Sequence, residues 1–193
     1  VCLETTSNKG GVACYDFEEF KKVRNLCDHY GLGLHLDGAR LMNALIAKKE
    51  DPNSYGKIFD TISVCLSKGL GTPLGTILLG NNDLMARAIR VRKILGGAMR
   101  QVGFMAAAGL YALDHHVERL SEDHQKASEI AHTLQKLPYI KKVEPTETNI
   151  VIFNLIDEIS NDRFINDMLH KNLQISDMGQ GKLRMVTHLD YTP

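Results

Sequence analysis

From Asp16 to Gly31 the apolar residues Phe17, Phe20, Val23, Cys27 and Tyr30 recur at spacings of three and four. That period predicts one helix with an apolar stripe, capped by Asp16 and stopped by Gly31. Leu34-His35-Leu36 then reads as a short strand, and Leu41, Leu45 and Ile46 mark a second, shorter helix. Pro52-Asn53-Ser54 reads as loop. Thr61 to Leu66 is an apolar, β-branched run followed by glycines, the pattern of a buried strand and its turn. Thr76-Ile77-Leu78-Leu79 is a further strand-like run, and Gly80-Asn81-Asn82 turns into a helix with Asp83 in its first turn. Strands alternating with helices predict an α/β fold with a mostly parallel sheet covered by helices.

From Leu84 to Leu137 the pattern is helical, broken at Gly96-Gly97 and closed by Pro138. The rhythm then changes. Lys142-Val143-Glu144 and Asn149 to Phe153 read as strands, Phe164, Ile165, Met168 and Leu169 as a helix, and Leu173-Gln174-Ile175 and Leu183 to Val186 as strands again. Runs of strands with one helix predict a smaller α+β domain. The division expected is 1–137 for the larger domain with its connecting helices and 138–193 for the smaller one. The chain starts at Val1 in a strand-like Val-Cys-Leu and ends at Tyr191-Thr192-Pro193 after a strand pattern, and both ends read as cuts through a larger protein.

Composition narrows the function classes. With 193 residues, 44% of them hydrophobic, the chain can bury a real core. Its 23 basic and 23 acidic residues cancel, so no global field draws it to nucleic acid or an anionic membrane. The longest apolar-like stretch, Phe104 to Leu113, is about half of what a membrane span needs. No signal peptide is visible at the start. Cys2, Cys14, Cys27 and Cys65 lack metal-ligand spacing, and Cys27 in a predicted helix and Cys65 in a predicted buried strand read as packing in a reducing compartment, so structural thiols are expected rather than a metal or a disulfide. The reading expects a cytoplasmic protein, with the mitochondrion as the other compartment open.

Candidate chemistry gathers where strands end. Lys68 follows the 61–66 run beside Gly69 and Gly71, and in α/β proteins ligands bind at the carboxyl ends of strands. Its amine can take up an aldehyde, although a lysine at a loop mouth can also simply reach for water. Asp37 ends the Leu34–Leu36 strand. A lysine and an aspartate at two strand ends suit pyridoxal phosphate, the amine for its aldehyde and the anion for its pyridinium nitrogen. Asp37 can equally bind a ribose or a metal, or cap the helix starting near Ala39. His35 shares a strand face with Asp37 and can orient it, or be a packed core histidine. Arg40, three residues after Asp37, is placed to bind a carboxylate bidentately. Arg184 interrupts an apolar strand, and on the residues alone the solvent face is favoured over an anionic ligand. Arg87, Arg90, Arg92, Lys93 and Arg100 make one segment basic, and a solvated or subunit-contact face suits them better than a nucleic-acid surface. Lys93 and Arg100 bracket Gly96-Gly97, where a backbone can approach an anion. His115-His116 and His188-Leu189-Asp190 complete no nucleophile or metal constellation.

Taken together, several segments resemble the low-specificity threonine aldolases. They are His35-Leu36-Asp37-Gly38-Ala39-Arg40-Leu41-Met42-Asn43-Ala44, Ser63 to Gly75 around Lys68, Arg92 to Gln101, Ala106 to Leu113, Glu122-Asp123-His124, and Leu183 to Asp190 around Arg184. The resemblance runs in order through nearly the whole chain. It implies a fold-type-I pyridoxal phosphate enzyme with a large α/β domain, a small C-terminal domain, and sites at the interface of a homodimer or homotetramer. It implies Lys68 as the Schiff-base lysine, Asp37 as the pyridinium partner, and Arg40 and Arg184 as the pair gripping the substrate carboxylate. Lys93 and Arg100 match positions near the active site. The implied reaction is cleavage of L-threonine or L-allo-threonine to glycine and acetaldehyde. Glu4-Thr5-Thr6-Ser7-Asn8 resembles a family segment closer to Glu-Asn-Thr-His-Asn, and Ser7 stands where that form has histidine. The family's N-terminal phosphate cradle and ring-stacking histidine have no counterpart here, so the chain reads as the later part of such an enzyme. Other expectations open are another fold-type-I enzyme, such as a β-eliminating lyase, and a non-catalytic fragment.

Overall fold

The computed structural model describes residues 1–7 and 12–192. They form two compact units. The first comprises Val1–Ser7 and Cys14–Leu120. Its sheet runs β1 (Cys2–Glu4), β2 (His35–Gly38), β3 (Thr61–Cys65), β4 (Thr76–Gly80), in that spatial order. The first three strands are parallel, and β4 returns antiparallel to β3. Helices α1 (Phe17–His29), α2 (Leu41–Lys48), α3 (Pro52–Gly56), α4 (Asn82–Ile94) and α5 (Gly103–His115) complete the unit. This is the mixed, mostly parallel α/β sheet that the strand–helix alternation predicts.

The predicted stripe of α1 is what the core is built on. Phe20 is shut off from solvent, its ring 5.3 Å from Tyr15, 5.6 Å from Tyr55 and 5.2 Å from Phe59. Leu36 and Ile62, neighbours across β2 and β3, close the same cluster. The Tyr55 hydroxyl donates to Glu50, and burial, more than that contact, pushes its ionisation far up. Asp60 ties the strand starts together, accepting from Leu34 N–H at 2.6 Å and from the Arg24 guanidinium at 3.0 Å. The Leu34 N–H and then Arg24 hold its carboxyl below the ordinary range.

Gly38 shows how closely the strands approach at the end of β2. A Cβ there would collide with the backbone oxygen of Ser63 and sit 3.0 Å from Leu41 Cβ. Backbone cannot rotate away as a side-chain tip can, so Gly38→Ala is expected to destabilise the protein by ~1–3 kcal/mol. A fall in the urea midpoint at unchanged slope is the expected signature.

Among the described residues, the second unit contains Val12, Ala13 and 121–192. It holds most of α6 (Leu120–Leu134), then β5 (Ile140–Val143), β6 (Ile150–Leu155), α7 (Asn161–Leu169), β7 (Ser176–Gly179) and β8 (Lys182–Val186). The sheet order is β5-β6-β8-β7, antiparallel throughout. Strand alternation sends Val151, Phe153 and Leu155 to the core with Ala127, Ala131 and Leu134 of α6. Ile150 and Ile152 pack on the other face with Val12.

Four details differ from the sequence reading. The units divide at Leu120/Ser121 rather than near Pro138, because the buried alanines of α6 belong to the second core. Pro52-Asn53-Ser54 opens the short helix α3 instead of a loop. Asp51 accepts from Asn53 N–H and proline takes the first turn, where its missing N–H costs nothing. Asp16 stands at the N-cap of α1, but its side chain contacts Lys48 instead of the helix amides. The strand expected over 173–175 forms at Ser176–Gly179, past an Asn172 with φ of 62°. Cys14 and Cys27 are buried, Cys65 is half-buried and Cys2 is exposed.

Candidate active site at the carboxyl ends of the parallel strands

Glu4, Asp37 and Ser63 lie side by side across β1, β2 and β3. Everything the chain adds after that row therefore emerges at one sheet edge, the edge where α/β proteins bind ligands. Asp37 is half-buried there. Its Oδ1 accepts the Ala39 N–H at 3.0 Å, and its carbonyl accepts Thr5 N–H at 3.2 Å. A carboxylate has about four lone-pair sites. One local bond thus orients the group and leaves acceptor capacity. Arg40 follows at the N-cap of α2, half-buried beside the same strand end. His35 shares the half-buried face with Asp37, but its Nδ1 reaches across to Thr61 Oγ1 at 2.8 Å.

Lys68 sits on a tightly folded loop. Leu66 N–H donates to Gly75 O at 2.9 Å and Thr72 N–H to Leu66 O at 3.2 Å, so residues 66–75 close on themselves. Inside, Gly71 N–H donates to Lys68 O at 2.9 Å, with Gly71 at φ of 72°, a left-handed value that favours glycine. A Cβ on Gly69 would meet Asn43 Oδ1 at 2.9 Å and Leu120 Cδ2 at 3.1 Å. Leu70 is buried, and its carbonyl accepts from His116 Nδ1 at 2.7 Å. Lys68 itself is exposed at the mouth of this loop. The edge thus presents an accessible amine on a hydrogen-bonded turn and an oriented carboxylate.

Lys93 and Arg100 are exposed on either side of Gly96-Gly97. Helix α4 has no buried side chain, and Gly96, at φ of 80°, ends it with its N–H on Lys93 O at 3.2 Å. Arg184 belongs to the second unit. Leu183 and Met185 face the main core there, and Arg184 alternates to the face of Ile152, with its Nε buried. The solvent face favoured from sequence is therefore not where it lies, because this sheet is covered on both sides. Just beyond β8, the Thr187 hydroxyl donates to Asp123 O at 2.6 Å and Asn149 Nδ2 donates to Thr187 O at 2.8 Å. Burial pushes the neighbouring His124 imidazole below its ordinary value. Of the Glu4–Asn8 motif, Asn8 lies outside the described residues. Among the described residues no cluster of three His, Cys, Asp or Glu could hold a metal, and no helix is long and apolar enough to cross a membrane.

The family model described as beta-eliminating lyase matches residues 1–158, a span that contains Asp37, Arg40 and the Lys68 loop. The chain belongs to that family. It is 36% identical over 198 residues to low-specificity L-threonine aldolase 1 of Arabidopsis thaliana, covering 100% of this chain and 54% of the relative. It is 41% identical over 173 residues to the low specificity L-threonine aldolase of Escherichia coli K12, covering 89% of this chain and 48% of the relative. The chain thus spans about half the length of the curated relatives it matches. The structure of Leishmania major threonine aldolase superposes with a TM-score of 0.78 at 20% identity, covering 100% of this chain and 56% of that one. That likeness speaks for the fold alone, the fold type I that the motifs implied.

Proposed function

We propose that this site serves pyridoxal phosphate-dependent cleavage of L-threonine or L-allo-threonine to glycine and acetaldehyde. The observation that carries the reading is that Lys68 and Asp37 emerge at the same carboxyl edge of adjacent parallel strands. The donor set fits the cofactor: an accessible amine for its aldehyde, and an oriented carboxylate for its ring nitrogen. When bound, the cofactor supplies an electron sink for the pair released as the Cα–Cβ bond breaks. Lys68 would hold the aldehyde carbon and yield it to the substrate amine. Asp37 would keep a proton on the ring nitrogen. Arg40 would grip the substrate carboxylate, and the late motif around Arg184 supports that residue as a second carboxylate ligand. Fixing the substrate in this way is the kind of orientation worth up to ~7–11 kcal/mol of barrier. Lys93 and Arg100 are proposed near the same chemistry on the strength of their motif. A homodimer or homotetramer is the proposed assembly, supported by exposed apolar side chains such as Ile94, Leu95 and Phe104 around the basic segment.

The test is to mix the purified chain with pyridoxal phosphate and follow visible absorbance. A band that L-threonine perturbs, with glycine and acetaldehyde as products, is the expected result. No band, or a band indifferent to threonine, would make the chain a non-catalytic form. The description of the matching family favours one second reading, elimination at the β-carbon. Turnover of cysteine or tryptophan in place of threonine would establish it.

A further inference from the structure

We infer that His116 is a positioning residue for Lys68, acting through the carbonyl of Leu70. The inference rests on Lys68 being the cofactor amine. A carbonyl oxygen only accepts, so at 2.7 Å the His116 Nδ1 carries the proton and donates. His116 is itself fixed, since its N–H donates to Ala112 O at 2.8 Å in the last turn of α5 and the Tyr111 ring packs on its imidazole edge-on at 5.5 Å. Leu70 is therefore held twice. Its side chain is buried with Leu66, Ala112 and Leu120, and its carbonyl is bound by the imidazole.

Leu70 is the third residue of the turn that begins at Lys68 and closes through Gly71 N–H on Lys68 O. Fixing Leu70 fixes the backbone from which the lysine side chain springs. Lys68 is exposed and has no burial of its own to orient it, so its direction comes from the turn. Nor does the glycine-rich loop stiffen itself, because Gly69 and Gly71 give the backbone the most freedom of any residue. The anchor comes from 46 residues away in sequence.

Two variants separate donation from mere packing. His116→Ala removes the donor. His116→Asn keeps it, because the asparagine Nδ2 stands at the same two-bond remove from Cβ as the histidine Nδ1. In His116→Ala the amides of 67–71 should exchange with solvent ~10-fold faster, about what one net hydrogen bond supplies. The rate at which borohydride traps pyridoxal phosphate on Lys68 should fall by a similar factor, while trapping on the other lysines stays constant. His116→Asn should restore both. Wild-type exchange and trapping in His116→Ala would overturn the inference, as would an asparagine variant that fails like alanine. The exchange measurement needs no cofactor. A wild-type chain that traps nothing on Lys68 would overturn the aldolase reading, and the exchange rates would still decide the anchor.

Discussion

Replacing Lys68 by alanine is expected to leave the chain folded and unable to capture pyridoxal phosphate at this site. The side chain is exposed, and the loop is held by backbone bonds and by Leu70, none of which uses the lysine amine. Surface changes of this kind stay within about 0.5 kcal/mol, so the thermal midpoint should barely move. The chemistry should be lost outright, because only a deprotonated amine attacks the aldehyde. Lys68→Arg makes the point from the other side. It keeps a positive charge at the same place, but a guanidinium stays protonated and offers no nucleophile. The measurement is borohydride reduction in the presence of the cofactor, followed by peptide mass analysis. Full stoichiometry of adduct in Lys68→Ala would transfer the role to another lysine and sink the assignment.

The largest loss of stability is expected at Phe20. Its ring is wholly buried and touches Tyr15, Tyr55 and Phe59. Truncation to alanine removes those contacts and leaves a cavity that three rigid rings cannot collapse to fill. Such changes cost about 3–5 kcal/mol, out of a total that is commonly only about 5–15. Urea unfolding followed by circular dichroism should show the midpoint falling steeply. Amide exchange should show lost protection in β2 and β3, which Phe20 supports through Leu36 and Ile62. A midpoint unchanged by Phe20→Ala would mean that α1 contributes nothing to this core.

Most of the first unit was legible because its signals are local. The three–four spacing of Phe17, Phe20, Val23 and Cys27 needs no partner to be read, nor does the β-branched run at 61–66. Asp37 and Lys68 follow from the same logic, since a parallel sheet puts all its strand ends on one edge. What sequence could not show depends on distant segments. Nothing in the period of α6 says which core its alanines will join. Arg184 looked solvent-facing because alternation reveals only that two faces exist, and here the second is buried too, with Ile150 and Ile152 packed against Val12. The histidine pair at 115–116 completed no motif, because its partner is a backbone carbonyl, a group that leaves no trace in the residue types.

The strand β4 has a consequence for how the chain behaves in solution. All five of its residues are exposed, none is charged or proline, and among the described residues it pairs with β3 alone. Its free side is a row of backbone donors and acceptors in register, with Ile77, Leu78 and Leu79 displayed around it. A net charge of zero provides little mutual repulsion. Such an edge is a template on which a further strand can add, from another polypeptide or from a neighbouring copy.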